Sequence, residues 1–161
     1  MMTSDPPPGF VPVGGLCGRF IEHSGPLFGR LEGQDLRLGF RVLDRHTNPL
    51  ACAHGGMLAS LADMVLACGV MYRPEGWGRV LPTVSLQLDF LSFARLGAWV
   101  EGNSETLRTT SSLIFAQAVI LADGAPALRA SGIFKRAPAA ESESNWDPLQ
   151  LRGSAPRRPV S

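Results

Sequence analysis

Cysteine is scarce in this 161-residue chain: Cys17, Cys52 and Cys68 are an odd number, with no CxxC pair and no histidine cluster near them. That argues against a disulfide framework or a zinc site and leaves the three as packing residues. Lysine is nearly absent, Lys135 being the one lysine among 15 basic residues, and the formal net charge is only +1. Such a balance gives no bulk attraction to nucleic acid or to an anionic membrane; any anion site has to be local and built from arginine. No apolar run reaches the roughly 18 residues of a membrane span, because Asp63 interrupts the longest of them. The opening "MMTSDPPPGF" lacks the basic flank and apolar stretch of a secretion signal, so the cytoplasm is the expected location. What the chain does have is 45% hydrophobic against 18% charged residues, the balance of one globular domain with a sizeable core.

Both ends are rich in Pro, Ala, Ser and charge without an apolar period. Residues 1–9 are therefore expected to be a disordered tail and 137–161 a flexible one, around a single domain at 10–136. Within it, "DLRLGFRVL" alternates apolar and polar residues as a half-buried strand does, and stops at the turn signal Asn48-Pro49. From Gly56 to about Val70, Leu58, Leu61, Ala62, Val65, Leu66 and Gly69 recur at spacings of three and four, which predicts a helix with a wide apolar face. "TVSLQLDFL" alternates more cleanly, setting Val84, Leu86, Leu88 and Phe90 opposite Thr83, Ser85, Gln87 and Asp89. "AWVEGNSETLR" is a weaker strand, and "SSLIFAQAVILADG" runs through a hairpin turn at Asp123-Gly124 into "PALRASGIFKR". A short helix at "GLCGRFIEH" precedes them. One strongly apolar helix is best buried by a curled antiparallel sheet wrapped around it, an α+β arrangement whose outer face and edges invite a second copy.

The helix opens on His54-Gly55-Gly56. Successive glycines there leave the first amide N–H groups uncovered at the positive end of the helix dipole, a place suited to a carbonyl oxygen turning negative; equally, they permit a tight turn into the helix. Asp63 lies two turns further on, and Ala59, Ser60, Ala67 and Val70 beside it supply no other charge for a solvated stripe. A bare carboxylate in apolar surroundings is costly, and Asp is a poor helix-interior residue, so its presence points to a general base or nucleophile. Asn48 and His54 taken singly are ordinary as a turn residue and a structural histidine.

Taken together, Asn48, "HGG" at 54–56, Asp63 and the later "PTVSLQLDFLSFARLG" resemble the hotdog-fold acyl-CoA thioesterases of the phenylacetyl-CoA and 4-hydroxybenzoyl-CoA group, over about residues 16–136. The resemblance implies a hotdog fold, a curled antiparallel sheet of five or six strands around one long central helix. It implies hydrolysis of acyl-CoA to free acid and coenzyme A without metal or cofactor. By position, Asp63 would attack the thioester carbonyl or activate water, and the Gly55 N–H would polarise that carbonyl. Asn48 would orient the nucleophile or thioester, Thr83 would position the water or carboxylate, and His54 would support the loop. It further implies a homodimer, or a dimer of dimers, in which Asp63 of one subunit meets the Asn48–Gly56 loop of its partner. Ser92-Phe93 stands where the group commonly has a basic residue or proline, which is a departure.

Gly56 and Met64 are then expected at the substrate, and Arg95, Arg108 and Arg136 are candidates by residue type for the phosphates of coenzyme A. Met64, Met71, Tyr72 and Trp77 are expected to line an acyl pocket that would suit an aryl or a medium alkyl group equally. Two other readings exist on the same fold. A hydratase or dehydratase would pair His and carboxylate at a different spacing, in a loop richer in Pro and Phe. A non-catalytic acyl-CoA-binding protein would not need the set Asn48, Gly55, Asp63 and Thr83, which is intact here.

Overall fold

The alternating segments pair into one antiparallel sheet of seven strands. The structure, a computed structural model, describes residues 4–15, 18–139 and 146–152. In chain order the elements are β1 (Val11–Pro12), α1 (Gly18–Ser24), β2 (Phe28–Glu32), β3 (Asp35–Arg41), a 3-10 turn (Asp44–His46), α2 (Gly55–Met71), β4 (Thr83–Phe90), β5 (Trp99–Thr109), β6 (Leu113–Ala122) and β7 (Ala125–Lys135). The sheet order is β1-β2-β3-β5-β6-β7-β4. Five or six strands are expected and seven form; the two beyond the five read from periodicity are β1 and β2, too short to show a period in sequence. The Asp123-Gly124 turn forms with positive φ at both residues, as a tight hairpin requires.

The helix α2 packs on β3 to β7, burying Leu58, Leu61, Ala62, Val65, Leu66 and Val70 against Phe40, Val100, Ile114, Ile120, Leu128 and Phe134. Apolar residues occupy nearly its whole circumference, the pattern of a helix enclosed by its neighbours rather than laid on a surface. Gly69 is required for this closeness, since a Cβ there would meet the Ser104 hydroxyl on β5 at 2.1 Å. No helix among the described residues is long and apolar enough to cross a membrane.

Two expectations are corrected. The first is the facing of Thr83. Strict alternation puts it with Ser85, Gln87 and Asp89, but the register of β4 against β7 shifts between Thr83 and Ser85. Thr83 pairs with buried Phe134 and so turns toward α2, on the side of Leu86 and Leu88, while Val84 is exposed. One extra residue reverses the phase of a strand, and sequence periodicity carries no record of it.

The second concerns the ends. Residues 153–161 and 140–145 of the expected flexible tail lie outside the described residues, but Trp146 to Arg152 pack on the domain. Leu149 is fully buried, its N–H donates to the Tyr72 hydroxyl and its carbonyl accepts from Gly14. Asp147 accepts from the Tyr72 hydroxyl at 2.6 Å and from the backbone N–H groups of Leu151 and Arg152. At the other end, the Asp5 carbonyl accepts from Arg41, and Phe10 packs edge-on against Trp99.

Burial, and donation to Asp147, push the Tyr72 hydroxyl well above the usual phenol range. The folded protein therefore keeps this proton where an unfolded chain, at the ordinary value of 10.0, releases it. The stability so gained is full below that pH and is lost as pH rises above it. Denaturant titrations on either side of pH 10 should show this alkaline loss in the parent and a weaker one in Tyr72→Phe.

Candidate active site

One side of α2 carries a stripe of Ser60, Asp63 and Met64, Ala67 and Cys68, then Met71, spaced by three and four. With Phe20 and Ile21 of α1, Val80, Leu81 and Thr83 they line a groove of about 330 Å³. Asp63 is half-buried at its polar end, where Thr83 Oγ1 donates to Asp63 Oδ1 at 2.7 Å. The charge that interrupts the helix is thus paired with a hydroxyl and opens on an otherwise apolar cleft. One oxygen is anchored and the other is available to a substrate or a water.

The start of α2 belongs to a different groove, of about 300 Å³, lined by Asn48, Cys52, Ala53, Gly55 and Leu58 together with Phe90 to Ala94. His54 is the N-cap, and its Nδ1 accepts the Gly56 N–H at 2.9 Å. Its carbonyl accepts the N–H groups of Met57 and Leu58. Gly55 sits at the first helical position, where its N–H has no acceptor among the described residues. The Gly55-Gly56 pair therefore resolves into one free donor, Gly55, and one amide engaged by the cap; as an N–H donor, Gly56 is not available to a substrate. A Cβ on Gly55 would touch the Phe90 ring at 3.4 Å.

Asn48 is held by its own loop. Its Oδ1 accepts from Leu50 N at 2.9 Å and from Cys52 Sγ at 3.3 Å, and its N–H donates to the Cys52 carbonyl. With the carboxamide oxygen occupied, the side-chain N–H₂ is the half left to face the groove. Cys52 is the residue that sequence reading missed here, since only the folded loop brings it under Asn48.

The remaining predicted residues are spread more widely. Met64 and Met71 line the Asp63 groove. Tyr72 does not: it is fully buried and bound to Asp147. Trp77 is absent from that lining and carries the Arg152 guanidinium over its ring at 4.7 Å. Phe20, Ile21, Cys68, Val80 and Leu81 take their place; α1 was foreseen, but not its part in the groove.

Arg95 is exposed beside the loop, bridged through its backbone to Cys52. Arg108 pairs with Phe115 far along β5, and Arg136 donates to the Glu75 carbonyl. The three do not converge within one chain.

A family model described as the thioesterase superfamily matches residues 51–125. A Pseudomonas aeruginosa protein named "Putative esterase PA0474" is 32% identical over 129 residues, which are 80% of this chain and 95% of that one. Among solved structures, the phenylacetic acid degradation protein PaaI from Thermus thermophilus superposes with a TM-score of 0.63 at 22% identity, over 73% of this chain and 98% of its own. A hypothetical thioesterase from Streptococcus pneumoniae, solved with coenzyme A, gives 0.62 at 13% identity, over 75% and 97%.

Proposed function

Since the chain belongs to the thioesterase superfamily and has its hotdog fold, we propose that it hydrolyses acyl-CoA thioesters to the free acid and coenzyme A, with Asp63 as the attacking or water-activating carboxylate. The observation that carries the reading is the Asp63–Thr83 pair at the mouth of an apolar groove. In the nucleophilic version a free Asp63 oxygen adds to the thioester carbonyl, the C–S bond breaks, the thiolate of coenzyme A leaves, and water then cleaves the mixed anhydride. In the general-base version Asp63 takes a proton from water, whose oxygen adds to the carbonyl, and that proton passes to the departing sulfur. Either way the carbonyl oxygen becomes an oxyanion. The Gly55 N–H, at the positive end of α2, is the donor for it, with the Asn48 side-chain amide beside it.

Gly55 and Asp63 of one chain cannot serve the same carbonyl. Eight residues of one helix separate them by about 12 Å along its axis, against the roughly 3 Å at which both must act. The site is therefore composite, made by two subunits. The edge strand β4 supplies the means, because among the described residues it is bonded only to β7 and carries exposed Val84 and Phe90, with exposed Leu91 and Phe93 just beyond. Two copies of β4 pairing antiparallel about their middle set Thr83 opposite the partner subunit's Phe90. Thr83 holds Asp63, and Phe90 lines one groove with Gly55, so this pairing brings the carboxylate to the partner subunit's free amide. A homodimer, alone or within a dimer of dimers, is the active unit, and the cytoplasm is its proposed location. Arg95 reaches the phosphates of coenzyme A from the loop side, and Arg108 and Arg136 remain candidates by charge.

A panel of aryl- and alkyl-CoA esters, followed with a thiol-trapping dye, tests the reading. Thiol release is expected, and tight binding without release would make the protein an acyl-CoA binder instead. Thr83→Val keeps the strand and removes the hydroxyl; it is expected to lower kcat about tenfold, the worth of one hydrogen bond to a charged group. A kcat equal to the parent's would remove Thr83 from the mechanism.

A further inference from the structure

The segment from Trp146 to Arg152 lies beyond the residues matched by the family model; it is bonded to one wall of the Asp63 groove, at Met71, and to the chain just ahead of α1. On the α2 side, Trp146 Nε1 donates to the carbonyl of Met71, the last groove-lining residue of the helix. The next residue, Tyr72, is bonded through its hydroxyl to Asp147 and to the Leu149 N–H. On the α1 side, the Leu149 carbonyl accepts from Gly14, and Gly15 lies so close to the Pro148 carbonyl that a Cβ would meet it at 2.2 Å. Gly14 and Gly15 precede α1 in the chain, and Phe20 and Ile21 of α1 form the facing wall of the groove. Leu149 fills the core between the two attachments.

We infer that Trp146 to Arg152 form a clasp that fixes the far end of the groove and so sets the longest acyl chain the enzyme accepts. The inference rests on the thioesterase reading above, in which the thioester carbonyl sits at Asp63. From there the stripe Met64, Ala67, Cys68 and Met71 gives an unbranched acyl chain about 12 Å of helix to lie along before it reaches the clasped end. The groove wall there is aliphatic and sulfur-bearing, with the single ring of Phe20, which fits a flexible alkyl chain better than a flat aryl group. Asp147 is the anchor of the clasp and does not line the groove.

The test is the dependence of kcat/KM on chain length for saturated straight-chain acyl-CoA esters, in the parent and in full-length Asp147→Ala. In the parent, each methylene that enters the groove is expected to raise kcat/KM by up to about fourfold, until the chain reaches the clasp and the curve levels. In Asp147→Ala the short esters keep their values and the levelling moves to longer chains. Tyr72→Phe, which keeps the ring and loses both hydroxyl contacts, should shift it in the same direction. A curve lowered evenly at every length, or one levelling at the same length as the parent's, overturns the clasp. If the parent releases no thiol from any ester, the thioesterase reading has failed instead. The clasp is then judged by the affinities of non-hydrolysable S-alkyl-CoA thioethers, whose length limit must still move in Asp147→Ala for the inference to stand.

Discussion

Asp63→Asn is expected to lower kcat on acyl-CoA esters by at least about a hundredfold, with a folded dimer retained. Asn has the same shape, and its carboxamide oxygen can still accept the Thr83 hydroxyl, so the groove and its binding contacts survive. What disappears is a charged oxygen able to add to the carbonyl or to take a proton from water. The loss should therefore fall on kcat and leave KM within a few-fold of the parent. Steady-state rates, with melting temperature and sedimentation as controls, check it. A variant hydrolysing at the parent rate would remove Asp63 from the chemistry altogether.

Gly55→Pro is the matching experiment at the other end of the site, with a loss of about a hundred- to a thousandfold in kcat expected. Proline at the first helical position removes the N–H without breaking any helix bond, since that amide has no partner within the helix. His54 before it already has the extended backbone that proline demands of its predecessor, φ −61° and ψ 137°. The ring would approach Phe90, which is exposed and can yield.

The two inactive variants together give the sharper result. Mixed in equal amounts and allowed to exchange subunits, half of the dimers contain one subunit of each kind. Each mixed dimer holds one site with both defects and one with neither, so the mixture should recover about a quarter of the parental activity. A mixture no more active than its components would mean that Asp63 and Gly55 do not act across subunits.

Much of the fold was legible because α2 and the later strands advertise themselves locally. Leu58, Leu61, Val65 and Leu66 keep helical spacing, and Asp123-Gly124 names its own turn. The residues of the proposed site stood out in sequence too, each sitting in a compact stretch of distinctive types. What sequence could not carry were facts of register and long-range contact. β2 has five residues, among them Gly29, and no period to show. The "WDPLQLR" of the clasp has too few apolar residues to announce a packed segment, and only the Tyr72–Asp147 bond, 75 residues apart, reveals it. Likewise the two glycines were indistinguishable until the His54 ring took one amide and left the other.

The irregularity at Val84 shows where such a site is vulnerable. Its working geometry depends on how many residues precede the strand's regular pairing, an odd-or-even property that no side chain encodes. A chain one residue shorter at this point would still spell Asn48, the two glycines, the aspartate and the threonine, and by composition would look fully equipped. Its threonine would point into solvent, and its carboxylate would stand without a partner. For this site, counting the residues between the threonine and the strand's regular pairing is thus as informative as identifying them.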